Sequence, residues 1–245
     1  MSTARPPEGA RHRSPHGEGT LMHTRHPPTD TPHISVLGTT ALLFEAPGGL
    51  DLEQQRRIWS LARQAETWDG VQEAVPGMNN LMLTFTRPPA ELAALESGLL
   101  QAWSSGHAVR LEGKTVELPV VYGGQCGPHL ADVVAHTGLT VQEIVRIHTA
   151  PLYIVYALGS HPGYCYLGGM DARIATPRRR VPVVHLPGGS VSIGGIQTGV
   201  SASDGPSGWN TIGRTAMHFF DPQREPPALL APGDKIRFVV ERIDA

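Results

Sequence analysis

Apolar and polar residues alternate in short runs where the recognisable pattern of the chain begins. Apolar runs at 34–37 and 41–45 are separated by a Gly-Thr-Thr turn, and together they predict two strands. After Asp51, apolar residues recur three or four positions apart, which predicts a helix. Asp51 and Gln54 have the spacing of a capping box, so we expect the helix to begin there.

The following elements repeat this order. Strand-like runs at 71–74 and 81–85 precede a second predicted helix, which extends from Pro89 to Trp103 with proline where a missing N–H costs least. Two βαβ-like halves of this kind predict a small ferredoxin-like α/β sandwich, which we assign to residues 33–114.

The second half of the chain has a different pattern. Residues 115–122 predict a strand, and two short helices follow, one near 129–136 and one that begins at a capping box of Thr140 and Glu143. Beyond them, short apolar runs are divided by Gly and Pro, which is typical of a closed antiparallel barrel. The run at 235–240 has the alternation of a further strand.

Residues 1–32 carry Pro, Gly, Arg, His and Thr but almost no large apolar side chains. Such a segment buries too little surface to offset its ordering entropy, so we predict a disordered N-terminal tail. Met22 is a candidate start, because the recognisable pattern begins soon after it. A metal-binding tract is the alternative interpretation of the irregularly spaced histidines, which are His12, His16, His23, His26 and His33.

Composition narrows the range of functions. A net charge of −2 at pH 7 gives no electrostatic case for nucleic acid or an anionic membrane as a partner. Cys126 and Cys165 form no disulfide framework and no metal-ligand spacing, and we interpret both as free thiols. No apolar run has the length of a membrane span and no signal-peptide pattern opens the chain, so we expect a cytoplasmic protein.

Candidate chemistry is concentrated between Leu158 and Thr215, where polar side chains stand among frequent Gly and Pro. Arg178 and Arg179 follow a Thr-Pro turn and can clamp a carboxylate or phosphate with their planar donor forks. A solvated basic face is the alternative for this turn. Arg214 lies among small and apolar residues, which predicts a guanidinium inside the barrel that needs an anionic partner.

Three more polar residues in this stretch are candidates. Gln197 can donate and accept hydrogen bonds at once, which suits an amide such as a lactam; a bond from a strand end to the backbone is an equal alternative. His161 has a reference pKa near neutrality and can act as a general acid or base, with simple exposure as the alternative. Ser190 lacks the G-x-S-x-G context of a nucleophile, so we interpret it as a turn residue whose hydroxyl or N–H binds a ligand oxygen.

One apparent nucleotide loop is excluded. Gly113–Lys114–Thr115 looks like the end of a phosphate-binding loop, but the glycine required five residues earlier is replaced by Ala108. If the protein uses ATP, it holds ATP in another way.

A set of motifs occurs in a fixed order from about residue 33 to 240. The motifs are Leu37–Ala41, Pro76–Asn80, Pro119–Gly124, His148–Pro151, Pro162–Gly163, Tyr166–Gly169, Thr176–Arg179, Gly189–Val191, Gln197–Val200 and Gly208–Thr215. On these motifs the chain resembles the family of the B subunit of the bacterial ATP-dependent 5-oxoprolinase, also called allophanate hydrolase subunit 1 or the carboxyltransferase C/D type. The usual Phe-Pro of the family is replaced here by Tyr164–Cys165.

The resemblance implies an α+β fold in which residues 115–245 form a cyclophilin-like antiparallel barrel. It further implies an enzyme subunit that opens 5-oxo-L-proline to L-glutamate, with ATP and Mg²⁺ as co-substrate. The implied partners are a second carboxyltransferase-type subunit and a lactam-utilisation barrel subunit. Under this interpretation the catalytic candidates are Arg214, Gln197 and His161, and the substrate- or nucleotide-binding candidates are Arg178, Arg179, Ser190, Thr198, Asn79 and Asn80.

Two other functions remain open. Because the family includes inhibitors of a sporulation histidine kinase, the protein can be a regulator that docks on a sensor kinase through its barrel. It can also be one half of an allophanate- or urea-type carboxyltransferase, which requires a biotin-carrying partner. For Asn79 and Asn80 the alternative is turn formation without a ligand role, whereas the resemblance favours a functional role.

Overall fold

The computed structural model of the protein describes residues 30–244. The predicted N-terminal tail lies outside these residues, except for positions 30–32, as do Met22 and the histidines before His33. The described chain has two separate hydrophobic cores, one drawn from the first half of the sequence and one inside a barrel in the second half. No helix among these residues is long and apolar enough to cross a membrane.

The first half forms a four-stranded sheet covered by two helices. Both helices pack on the sheet through a core that includes Phe44, Ile58, Leu83 and Leu99. The sheet has the order β1-β2-β4-β3, and every neighbouring pair is antiparallel. The elements are β1 His33–Leu37, β2 Ala41–Glu45, α1 Leu52–Ala65, β3 Val71–Pro76, β4 Asn80–Phe85 and α2 Leu92–Ser105.

The connectivity of this sheet differs from the predicted ferredoxin-like one. That fold runs β-α-β-β-α-β, whereas this chain runs β-β-α-β-β-α. The strand beside β2 at the sheet edge is therefore β1, which comes before β2 in the sequence instead of after α2. The prediction of two βαβ-like halves was wrong because the first two strands form a hairpin and are not joined through a helix.

The helix starts follow the sequence only in part. Asp51 caps α1 by accepting a hydrogen bond from the Gln54 backbone N–H at 2.9 Å. The reciprocal half of the predicted capping box is missing, because Gln54 Oε1 is buried without a partner. The second predicted box is complete, with Thr140 and Glu143 bonded in both directions.

The second half forms a closed barrel of seven strands, which confirms the predicted barrel. Around the barrel the strands follow the order β10-β7-β6-β13-β5-β12-β9, and β8 and β11 form a separate two-stranded sheet. The elements are β5 Thr115–Gly123, α3 Leu130–Thr137, α4 Val141–Thr149, β6 Tyr153–Leu158, β7 Cys165–Gly168, β8 Val183–Leu186, β9 Ser190–Gly194, β10 Gln197–Val200, β11 Gly205–Ser207, β12 Asn210–Arg214 and β13 Lys235–Asp244.

One pair of barrel strands departs from the antiparallel prediction. β13 lies parallel to β5, with Lys235 opposite Thr115 and Asp244 opposite Gly123. The sequence shows the strand character of both segments but not their mutual direction, because their partners are far apart in the chain.

The parity of β9 and β10 decides which side chains line the core. Val191, Ile193 and Val200 belong to the barrel core, and Thr198 pairs with Ile193 in the same layer. Successive side chains point to opposite faces of a strand, so Gln197 and the residues on the same face of β9 and β10 point away from the core. This outer layer consists of Ser190, Ser192, Gly194, Gln197 and Gly199.

Candidate functional site

The Thr-Pro-Arg turn is fixed to the barrel beside the β9–β10 hairpin. Thr176 is buried and exchanges two backbone hydrogen bonds with Gly195, at 3.1 and 2.7 Å. The Arg179 N–H donates to the Gly208 carbonyl at 2.8 Å, which ties the turn to the loop before β12. The arginines that follow Pro177 are therefore carried by a well-anchored backbone.

The arginines of this turn have different environments. Arg179 pairs with Asp132 of α3 at 2.6 Å, and its Nε is buried with no partner. Arg178 is exposed and has no ion pair with any carboxylate in the described part of the chain. The turn borders an open hollow of about 410 Å³, whose lining residues are Asp132, His136, Thr176, Pro177, Arg178, Arg179, Arg180, Val181 and Asn210. Since arginines outnumber carboxylates in this lining, the hollow favours an anion.

A row of aromatic rings crosses the outer face of the barrel next to this turn. The Arg178 guanidinium lies 5.7 Å from the centre of the Trp209 ring. Tyr164 stands edge-on to Trp209, with the ring centres 6.4 Å apart, and is 4.9 Å from Tyr166. At the far end of the row, His161 lies 5.2 Å from Tyr164.

Glycines in the strands beneath make room for these rings. A Cβ atom on Gly194 would overlap the Trp209 indole, and one on Gly199 would lie 2.6 Å from the Tyr164 hydroxyl. Both glycines therefore allow an aromatic ring to lie directly on the backbone of the strand.

Gln197 lies beside the Trp209 end of the row. It is the cross-strand partner of Gly194, and only 5% of its surface is exposed. Its side-chain amide has no hydrogen bond with any described residue, so the alternative of a side chain bonded to the backbone is not observed. Neither amide atom of Gln197 is among the fully buried unpartnered polar atoms of the described residues, so the amide keeps contact with solvent and can bond to water or to a ligand.

His161 lies at the opposite end of the row. Its Nε2 accepts a hydrogen bond from the Ala202 N–H at 3.2 Å, which assigns the proton of the neutral ring to Nδ1. Burial lowers the pKa of His161 below its ordinary value. The ring is thus half-buried and tied to the backbone, which differs from simple exposure.

Thr198 is not on this face, contrary to its expected role in binding. It is fully buried, its hydroxyl donates to the Ser192 carbonyl at 3.1 Å, and it lies 3.0 Å from His148 Nε2. His148 Nδ1 lies 2.8 Å from the Tyr122 hydroxyl. The parity of β10 is the reason, because Thr198 faces inward where Gln197 faces outward.

Arg214 and Ser190 lie together at another end of β9. They are paired across β9 and β12, and Ser190 is four residues from Gly194, which corresponds to about 13 Å along the strand. Arg214 is exposed at the end of β12, so the expectation of a guanidinium inside the barrel was wrong. The Ser190 hydroxyl donates to the Pro187 carbonyl at 2.7 Å and is already used as a donor.

Asn79 and Asn80 lie at the junction of the two domains, in the turn between β3 and β4. Asn79 has a left-handed backbone with φ of 62°, and its N–H donates to Gln55 Oε1 at 3.0 Å. Gln55 Nε2 in turn donates to the carbonyls of Gly77 and of Tyr156 in β6, at 2.9 and 3.2 Å. These contacts give Asn79 a structural task at the junction, away from the aromatic row.

The structure therefore brings Arg178, Arg179 and Gln197 to one region and leaves the other candidates elsewhere. It also adds Tyr164 and Trp209, which were not among the residues selected from the sequence. The signal for them was the alternation of small outward residues with apolar inward residues in β9 and β10, since small residues on an outer face leave space for a covering ring.

Comparisons with known proteins agree on one family. A family model for the carboxyltransferase domain, subdomain C and D, matches residues 32–230. A protein named as the B subunit of 5-oxoprolinase from Escherichia coli O157:H7 is 43% identical over 208 residues, which cover 84% of this chain and 95% of that protein. A protein of the same name from Haemophilus influenzae is 37% identical over 212 residues, covering 86% of this chain and 99% of that protein.

A solved structure agrees with these relatives. The crystal structure of TTHA0988 matches with a TM-score of 0.67 and 32% identity over 82% of this chain. This chain spans only 39% of TTHA0988. Because the family model covers most of the sequence and both relatives match over nearly their whole length, the chain belongs to the family of carboxyltransferase subdomains C and D, together with the proteins named as 5-oxoprolinase B subunits.

Proposed function

We propose that this protein is one subunit of an ATP-dependent 5-oxoprolinase, which opens 5-oxo-L-proline to L-glutamate. The observation that carries the proposal is 43% identity across 95% of a relative named as a 5-oxoprolinase B subunit. The exposed Arg178, the arginine-lined hollow and the unpartnered amide of Gln197 support it, because they suit an anionic amide substrate.

The chemistry requires ATP because a five-membered lactam is a poor electrophile. Transfer of the γ-phosphoryl group to the lactam oxygen activates the ring carbon. Water then adds to that carbon, the C–N bond breaks as the nitrogen takes up a proton, and the resulting acyl phosphate is hydrolysed to glutamate and phosphate. Cationic donors such as Arg178 and Arg179 would stabilise the charge that develops on the phosphoryl group.

ATP would arrive with Mg²⁺, which proteins often hold through substrate phosphates and few carboxylates. The segment that looks like a phosphate-binding loop is not free for this task. Lys114 donates its backbone N–H to Asp234 at 2.9 Å, and Thr115 begins β5. We assign substrate and nucleotide contacts to Arg178 and Arg179 instead. The roles of the Ser190–Arg214 pair and of His161 at the end of the aromatic row depend on a partner.

Partner subunits complete the proposed enzyme. We infer a second carboxyltransferase-type subunit and a lactam-utilisation barrel subunit, and the greater length of TTHA0988 supports the view that this fold works beside further protein. A cytoplasmic location follows from a soluble substrate and from ATP as co-substrate.

The test is ATP-dependent formation of glutamate from 5-oxo-L-proline by the purified chain, alone and with each candidate partner added or omitted. We expect no turnover by the chain alone and turnover by the complete set. Robust turnover by the single chain contradicts the proposal that it is one part of a larger enzyme. No glutamate from the complete set contradicts the proposed reaction.

The family description favours one second candidate, a carboxyltransferase half. That function requires a biotin-carrying partner and transfers a carboxyl group between biotin and an amide. Consumption of a carboxylated biotin carrier in the presence of urea, together with no glutamate formation from 5-oxo-L-proline, would select it.

A further inference from the structure

We propose that Arg178, Gln197 and Trp209 form a pocket on the outer face of the barrel that binds a five-membered lactam bearing a carboxylate. The identity of the ligand rests on the proposed function. The existence of the pocket rests on the contacts of these side chains.

Arg178 supplies the carboxylate contact. Its guanidinium lies 5.7 Å from the centre of the Trp209 ring, within the range of a cation–π contact. A guanidinium placed on an indole in this way keeps its N–H donors free in its own plane. Arg179 and Arg173 contrast with it, because each is engaged with an aspartate, at 2.6 Å in both cases. Arg178 is thus the arginine of this region that is positioned and still available to an anion.

Gln197 supplies the amide contact. A lactam has a cis amide, so its N–H and C=O lie on the same edge of the ring. The primary amide of a glutamine also presents a donor and an acceptor side by side, and the two edges can form a pair of parallel hydrogen bonds. The Gln197 residue is nearly buried, and its amide keeps contact with solvent and has no hydrogen-bond partner among the described residues, so it is available for this pairing.

Trp209 joins these two contacts. Its indole covers Gly194, the cross-strand partner of Gln197. The Arg178 guanidinium lies 5.7 Å from the centre of the same indole ring. The indole therefore offers an apolar wall for the ring methylenes of the ligand. In 5-oxoproline the carboxylate is attached to the carbon next to the amide nitrogen, so its two recognition groups are separated by a single ring atom. Because Arg178 and Gln197 both adjoin the Trp209 indole, they suit two groups that lie this close together.

A phosphate group could also satisfy Arg178, since guanidinium forks bind both oxyanions. Four ligands distinguish a lactam carboxylate from a phosphate group as the anion that Arg178 binds. Each is added to the full chain and to its complex with partner subunits. The ligands are 5-oxo-L-proline, 2-pyrrolidinone without the carboxylate, L-proline without the lactam carbonyl, and inorganic phosphate. Binding is measured by calorimetry and by the shift of the Trp209 indole N–H resonance, which is assigned through Trp209→Phe.

Four variants have stated expected results. Arg178→Gln weakens binding of 5-oxo-L-proline about ten- to a hundredfold, the loss of a charge-assisted contact, and leaves 2-pyrrolidinone unchanged. Gln197→Leu weakens both lactams and has little effect on L-proline. Arg237→Gln, a control at an exposed arginine of β13 that does not line the hollow, changes none of these affinities. Gln197→Met, which keeps a neutral side chain of similar length but removes the amide, repeats the loss if Gln197→Leu lowers the melting temperature.

The pocket is overturned if 5-oxo-L-proline fails to bind the wild-type complex, or if Arg178→Gln and Arg237→Gln have equal effects. It is also overturned if inorganic phosphate alone shows the Arg178 dependence, because the site is then a general anion site. Failure of the proposed function has a different signature. A complex that binds 5-oxo-L-proline in the expected pattern but forms no glutamate keeps the pocket and rejects the reaction.

Discussion

Acidification tests the buried histidine in the barrel. His148 is fully buried, and desolvation lowers its pKa from 6.5 to about 3. Its neutral form satisfies every neighbour: the Tyr122 hydroxyl donates to Nδ1, Nε2–H donates to Thr198, and the Thr198 hydroxyl donates onward to the Ser192 carbonyl. A second proton on the ring would place a charge in the core and oppose the Tyr122 donor.

The magnitude follows from proton linkage. Between pH 6.5 and about 3, the unfolded chain binds a proton at His148 and the folded chain does not. The stabilisation is therefore fully present above pH 6.5 and is lost as the pH falls, by at most about 1.4 kcal/mol per pH unit. From pH 7 to pH 5 this one group removes about 2 kcal/mol from the free energy of unfolding.

Urea unfolding at pH 7, 6 and 5 measures this loss. His148→Gln should be less stable than the wild type at pH 7 but should lose about 2 kcal/mol less between pH 7 and pH 5. His136→Gln, which changes an exposed histidine on α3, should keep the wild-type dependence. Equal losses in the wild type and in His148→Gln would refute the reasoning. His129 and His161 also have pKa values lowered by burial, so the comparison uses the difference between variants and not the wild-type slope.

Three further changes test the rest of the structure. Gln55→Leu removes three hydrogen bonds at the domain junction and should lower the free energy of unfolding in urea by about 2–4 kcal/mol. Gln54→Leu, which loses no side-chain hydrogen bond, should cost much less. Equal costs would contradict the role of the Gln55 hydrogen bonds at the junction. Arg214→Lys should change stability by less than about 0.5 kcal/mol because the side chain is exposed, and a larger loss in a melting curve would reveal a buried partner. Gly199→Ala should destabilise through its contact with the Tyr164 hydroxyl, and the loss should shrink in a Tyr164→Phe background; a double-mutant cycle without coupling would contradict the contact.

Local signals in the sequence predicted most of the elements but not their connections. The capping box of Thr140 and Glu143 fixes the start of α4 because both partners are within one turn. The same pattern at Asp51 is only half realised, because Gln54 Oε1 is buried and makes no hydrogen bond with any described residue. The hairpin of β1 and β2 is a local pairing across the Gly-Thr-Thr turn. The parallel pairing of β5 and β13 joins segments far apart in the chain, which periodicity does not encode.

The candidate site shows a similar division. Arg178 and Gln197 could be selected from the sequence because a guanidinium and an amide carry their chemistry with them. Thr198 was expected to contact a ligand, but it points into the core because it follows Gln197 on β10 and so faces the opposite side of the strand. Arg214 was expected inside the barrel because its neighbours in sequence are small or apolar, but these residues do not surround it in space. Trp209 acquires its place only from Gly194, which is on another strand and makes room for the ring.

The parallel pairing of β5 and β13 has a consequence for how the chain folds during synthesis. The Lys114 N–H bonds to Asp234, 120 residues further along, and Lys235 then pairs with Thr115. The barrel consequently cannot close until β13 has left the ribosome, and contacts of such long range slow folding. All strands and helices of the four-stranded sheet are complete once Ser105 has been synthesised, so this domain can fold before the barrel does. During that interval the open barrel exposes the edges of β5 and β6, and unpaired strand edges of this kind promote aggregation until β13 covers them.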